Sequence, residues 1–246
     1  NGVTKFKDVS DVALKALKNK GITHVYATGL LEHATMENFP AYGSPIDHPS
    51  VVKGRAGSPF AIKDYYDVNP FLADDPAKRM DEFKLMLKRF HAHGLKLVID
   101  FVPNHLARQY SSDQKPKGVI DFGFNDNKQV AFDVNNNFYY LPGTQFTVPE
   151  GVHSPVPVNI PYIEIPAKVS GNNVFSPQPT INDWFETVKL NYGIDYQNGN
   201  QTHFDPIPNT WIKMHEVLSY WTDLGVDGFR CDMAEMVPVE FWTYAI

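Results

Sequence analysis

The sequence predicts an α/β protein built on a parallel sheet of the barrel type, and three observations carry this reading. Stretches with helical apolar spacing are each followed by a glycine and then by a short, almost continuous apolar run. That unit recurs early and late in the chain, and apolar runs of this kind read as strands buried on both faces, the condition of a helix-covered parallel sheet. The 246 residues, 43% hydrophobic and 20% charged, are enough for one barrel-sized globular core.

The first element is a helix, because Val9, Val12, Ala13, Ala16 and Leu17 repeat at helical spacing before Gly21. A β-branched run, 22–27, follows and reads as a strand. From Gly29 to about Asp74 turn residues dominate, and a loop is expected. Asp75 as N-cap and Pro76 at the first helical position open the next helix, whose stripe is Met80, Phe83, Leu87 and Phe90. Gly94 stops it, and Leu95 to Phe101 reads as a buried strand. Late in the chain Trp211, Met214, Leu218 and Trp221 form a helical stripe, Gly225 ends it, and Val226 to Met233 reads as the next strand. Between these units, residues 106–208 are rich in Asn, Pro and Gly and are expected to form an irregular, β-leaning subdomain, since so long a structureless loop is rare in a compact domain.

The bulk numbers exclude some functions. A net charge of −6 disfavours nucleic-acid or anionic-membrane binding, which need clustered Lys and Arg. No apolar run is long enough to span a membrane, and no signal peptide is visible at Asn1, so compartment is left open. The single cysteine, Cys231, allows neither an internal disulfide nor a Cys-based zinc site.

Strand side chains alternate, so Arg230 and Asp232 share a face at the C-terminal end of their strand, while Cys231 points the other way. Asp100 sits at the matching end of the earlier strand, followed by Asn104 and His105. In a parallel barrel that end is the active-site face. The guanidinium of Arg230 is expected to keep Asp232 ionised, as a covalent glycosidase mechanism requires.

These segments resemble the α-amylase clan of glycoside hydrolases. Asp100-Phe-Val-Pro-Asn-His105 is similar to its first conserved segment, and Gly228-Phe-Arg-Cys-Asp-Met-Ala-Glu235 to its second. Gly57-Ser-Pro-Phe-Ala-Ile-Lys-Asp-Tyr-Tyr66-Asp-Val-Asn69 is similar to the loop before the second barrel helix. The resemblance implies part of a (β/α)8 TIM barrel with an insertion after the third strand. Residues 1–105 would be the first part of the barrel, 106–208 the inserted B-like subdomain, and 209–246 the continuation through the strand carrying the nucleophile. It implies a retaining hydrolase of α-1,4-glucosidic bonds in starch, maltodextrin or related α-glucans. The alternatives are a transglycosylase or isomerising relative, or a non-catalytic glucan-binding barrel. Asp232 would attack the anomeric carbon and Arg230 would hold it. Tyr66 would stack on the sugar at the cleavage point, although Tyr65 and Phe60 are near and such rings equally suit a core. Asp100 and His105 would bind hydroxyls of that sugar, and Glu235 is a candidate substrate contact. Asn104 is a candidate calcium ligand.

The sequence also departs from the pattern. Glu235-Met236 stands where many amylases carry Lys-His, which leans toward relatives acting on smaller oligosaccharides or cyclodextrins. Lys189 falls where a calcium-binding Asp is often found; it counts against calcium and is expected to occupy that space itself. Residues 1–7 are short and polar where the clan has its first strand, and its general-acid Glu lies beyond the strand bearing Asp232. The chain is therefore expected to need the remainder of a longer parent protein to close the barrel, and to be inactive alone.

Overall fold

The computed structural model describes residues 4–246. Of the 1–7 segment, residues 1–3 lie outside the described residues, and Phe6–Asp8 form a 3-10 turn. Helix α1 spans Asp11–Asn19, with the Ser10 hydroxyl accepting from Ala13 N–H and Leu14 buried. Strand β1, His24–Ala27, is followed by β2, Leu31–His33, and β3, Ile62–Val68. Asp75 caps a 3-10 turn at Pro76–Lys78 that leads into α2, Arg79–Ala92, and α2 into β4, Lys96–Phe101. After a long excursion come α3, Asn209–Asp223, β11, Gly228–Cys231, and α4, Val239–Ala245.

The central sheet has the order β1-β4-β11 and is parallel throughout. Val25 pairs with Leu97, and Arg230 pairs with Asp100. The helix–glycine–strand units thus deliver three neighbouring parallel strands. Leu97, Ile99 and Phe101 are buried in one core with Phe83, Leu87 and Phe90 of α2 and Met214 and Trp221 of α3.

The expected loop 29–74 contains an antiparallel β2–β3 pair instead. All seven positions of β3 are buried, including Lys63, Asp64 and Asp67. Each of these charges has partners. Lys63 lies 3.0 Å from Asp47, Asp67 lies 2.5 Å from Arg79, and Asp64 accepts from Ser112 Oγ and from the backbone N–H groups of Tyr66, Asp113 and Gln114. Glu32, opposite Asp64 in register, differs: its Oε2 is buried without a hydrogen-bond partner.

Burial lifts the Glu32 carboxyl to about 8, and the nearby Asp67 and Asp64 add to the lift. The folded chain therefore keeps a proton that the unfolded chain loses near pH 4.5. Between those values the native state binds more protons, so stability falls as pH rises. Glu32→Gln should flatten this slope and raise stability at pH 8 by on the order of 2 kcal/mol. Urea unfolding of both proteins at pH 5 and pH 8 measures it; equal slopes would refute it.

Between β4 and α3 the chain forms only short strands. β5, His105–Ala107, pairs with β8, Thr187–Lys189; β6, Tyr140–Leu141, with β7, Ala167–Lys168; and β9, Ile194–Asp195, with β10, Gln201–Thr202, all antiparallel. Tyr139, Phe146, Val169 and Phe185 make a separate small core there. The register of β5 against β8 sets His105 opposite Lys189, bringing this excursion to the C-terminal end of the parallel sheet.

Candidate active site

The sheet register fixes the centre of the site. Asp232 N–H donates to Phe101 O (2.8 Å), which extends the β11–β4 ladder by one residue. The chain then turns sharply, with Met233 at φ +50°, a left-handed conformation uncommon for a side chain of this size. Asp232 is thereby left at the strand end, 7% exposed. One guanidinium nitrogen of Arg230 stands 2.7 Å from Asp232 Oδ1 and 3.3 Å from Asp100 Oδ1. Asp100 also accepts from the Tyr26 hydroxyl (2.6 Å) and from Gly29 N–H (3.2 Å). A buried carboxylate on each strand is held by a single half-exposed arginine.

Burial lifts the Asp232 carboxyl above the ordinary aspartate value, and Arg230 opposes the lift without cancelling it. Asp100 and Glu235 push the same way as burial. The guanidinium that the sequence suggests as the controlling influence is the smaller one.

Asp232 lines a cavity of about 310 Å³ together with Phe60, His105, Trp184, Glu186 and Lys53. Burial first, then Lys189 and Lys53, lowers His105 to about 3, so its imidazole is neutral across the working range. A neutral ring, an oriented carboxylate and aromatic walls suit an uncharged polar ligand.

Two expected roles need correction. Tyr66 does not face the cavity: it is 2% exposed, and its ring packs edge-on against Tyr220 at 5.1 Å. Phe60 lines the cavity instead and lies 5.5 Å from the Arg230 guanidinium carbon. The strand β3 decides this, because it carries Tyr65 and Tyr66 into the core. Asn104 is not free to ligate a metal. Its Oδ1 accepts from Lys189 Nζ, which also donates to Met236 O (3.0 Å). Its Nδ2 faces Gly171 O (2.9 Å) and the His105 ring (3.0 Å).

Glu235 is exposed on the 3-10 turn Ala234–Met236, close enough to influence Asp232 but not on the cavity wall. Cys231 is half-buried and packs against the main core. Tyr26, Lys53, Trp184 and Glu186 were not singled out from sequence. Only Tyr26 carried a usable signal, since it lies on a strand beside the one bearing Asp100.

With three parallel strands and a carboxylate–arginine pair at their C-terminal ends, comparison with known proteins is decisive. Residues 14–243 match the family model described as alpha amylase, catalytic domain. The chain belongs to the alpha-amylase family. It is 24% identical over 194 residues to a cyclomaltodextrin glucanotransferase of Bacillus sp. (strain 1011), covering 77% of this chain and 20% of that protein. It is 25% identical over 199 residues to an oligo-1,6-glucosidase of Parageobacillus thermoglucosidasius, covering 80% and 27%. The chain thus spans about a fifth to a quarter of the length of these curated relatives. Among solved structures, a maltogenic alpha-amylase from Thermotoga neapolitana superposes with a TM-score of 0.52 at 22% identity, over 99% of this chain and 39% of that one. The family and this superposition give the fold as part of a TIM barrel.

Proposed function

We propose that this chain carries the nucleophile side of a retaining glycoside hydrolase acting on α-1,4-glucosidic bonds of starch-like or maltodextrin α-glucans. The observation that supports it most is Asp232, paired with Arg230, on the wall of a cavity that also presents a neutral His105. Asp232 attacks the anomeric carbon and forms a glycosyl ester as the bond to the leaving sugar oxygen breaks. That oxygen takes a proton from an acid, and water then releases the sugar from Asp232. Arg230 orients the attacking carboxylate. His105 holds a hydroxyl of the reacting sugar, Asp100, buried off the cavity wall, holds Arg230 in place, and Phe60, rather than Tyr66, is the ring beneath the sugar. The excursion 106–208 is read as the family's inserted B domain.

Asp100 does not serve as the acid. It is buried and accepts from three donors, an arrangement for holding charge and hydroxyls and not for passing on a proton. Glu235 lies off the cavity wall. The place at Asn104 does not fit a calcium ion, because Lys189 Nζ fills the space between Asn104 Oδ1 and Met236 O.

An activated fluoro-glucoside tests the reading in the full-length protein. The peptide containing Asp232 should gain one glycosyl mass and the enzyme should lose activity. Hydrolysis that continues with the peptide unlabelled would reject Asp232 as nucleophile. A sugar hydroxyl replacing water at the second step gives transfer by the same ester, the activity named for the glucanotransferase relative. Product analysis separates the two outcomes.

A further inference from the structure

The wall of the cavity that Asp232 lines holds a second carboxylate that the proposed chemistry does not use. Glu186 is 5% exposed, lines the cavity, and its Oε2 has no hydrogen-bond partner. Lys53 Nζ stands 3.0 Å from that oxygen in an ion pair. A carboxylate held by a single lysine keeps free lone pairs that can accept from a ligand. Lys53 neutralises the charge, so a cation is not what the oxygen awaits; a neutral hydroxyl donor is.

The backbone around Glu186 is held stiffly. The buried Arg108 side chain donates to Phe185 O and, at 2.6 Å, pairs with Glu164, while Arg108 N–H donates to Glu186 O (3.2 Å). Thr187 N–H and its hydroxyl both donate to Trp184 O at 3.0 Å. Trp184 is therefore fixed two residues from Glu186, its ring 5.1 Å from His105. An aromatic face beside a fixed carboxylate acceptor is a sugar-binding pair: the ring covers the apolar face of a pyranose, and the carboxylate accepts from its hydroxyls.

We propose that Glu186, set by Lys53 and working with Trp184, is a specificity-determining residue that accepts a hydroxyl of the glucan in this cavity, next to the unit attacked by Asp232. This rests on the glucan-hydrolase reading of the same site. Lys53 comes from the loop before β3 and Glu186 from the residue before β8, so their pairing ties chain-length preference to how the excursion closes on the barrel.

The test uses the full-length protein and a series of malto-oligosaccharides from maltose to maltoheptaose. Glu186→Gln should raise KM about tenfold for the longer members, the loss of one charged hydrogen bond. A single-glucose aryl α-glucoside should be affected several-fold less, with kcat and the melting midpoint nearly unchanged. Lys53→Met should shift the same chain-length profile in the same direction. A uniform fall in kcat across all substrates, or an unchanged KM series with the fold intact, would overturn the proposal. Binding of maltoheptaose to Asp232→Asn, with and without Glu186→Gln, separates the two readings. Equal affinity of the two variants sinks the Glu186 assignment alone, whereas unimpaired glucan turnover by Asp232→Asn sinks both.

Discussion

Asp232→Asn is expected to lower the proposed α-glucan turnover of the full-length protein by about 10⁴-fold or more, the scale on which loss of a covalent nucleophile acts. The amide is nearly isosteric and its oxygen can still accept from Arg230, which approaches Asp232 Oδ1 at 2.7 Å. The fold should therefore persist, and an unchanged melting midpoint confirms it. The effect belongs in kcat, because the amide forms no ester. The wild-type pH profile carries a second mark of the same residue. Burial raises the Asp232 carboxyl, so activity should fall on the acid side at a pH above the ordinary aspartate value, as the nucleophile is protonated. Arg230 opposes that lift, and Arg230→Gln should move the acid limb higher still. A drop of less than tenfold in Asp232→Asn would remove Asp232 from the chemistry.

The parallel sheet was legible because its helices and strands obey local rules. Asp75 marks a helix start, and Gly94 and Gly225 mark helix stops with φ of +64° and +100°. Alternation alone puts Arg230 and Asp232 on one face, and the structure places their side chains in contact. What hid β3 was its charge. A strand reading Ile-Lys-Asp-Tyr-Tyr-Asp-Val looks solvated until the partners of Lys63, Asp64 and Asp67 are known, and apart from the Tyr66 N–H those named are 12 to 50 residues distant. The placement of β3 also decides the site. Without β3, Tyr66 reads as a loop aromatic free to face substrate; with it, Tyr66 is core and Phe60 takes the cavity. Glu186 and Trp184 were illegible for a similar reason, since only the tertiary fold brings residues 184–186 to within reach of Lys53 and His105.

Lys189→Met should destabilise the protein by about 2 kcal/mol. Lys189 is 1% exposed and donates to Asn104 Oδ1 and Met236 O. Methionine fills similar space, so the loss comes from two buried acceptors stripped of a donor, each worth about 1–3 kcal/mol. Relief from burying an amine offsets part of it, for burial lowers Lys189 to about 7. Charged or neutral, the nitrogen occupies the gap between those two oxygens. The converse substitution is sharper. Lys189→Asp would set a carboxylate beside Asn104 Oδ1 and Met236 O, three oxygens of the kind calcium selects. That variant should be destabilised without metal, through a buried unpaired charge, and should regain its midpoint with millimolar calcium while wild type stays unmoved. Calcium stabilising both proteins equally would show that Lys189 does not hold the metal's place.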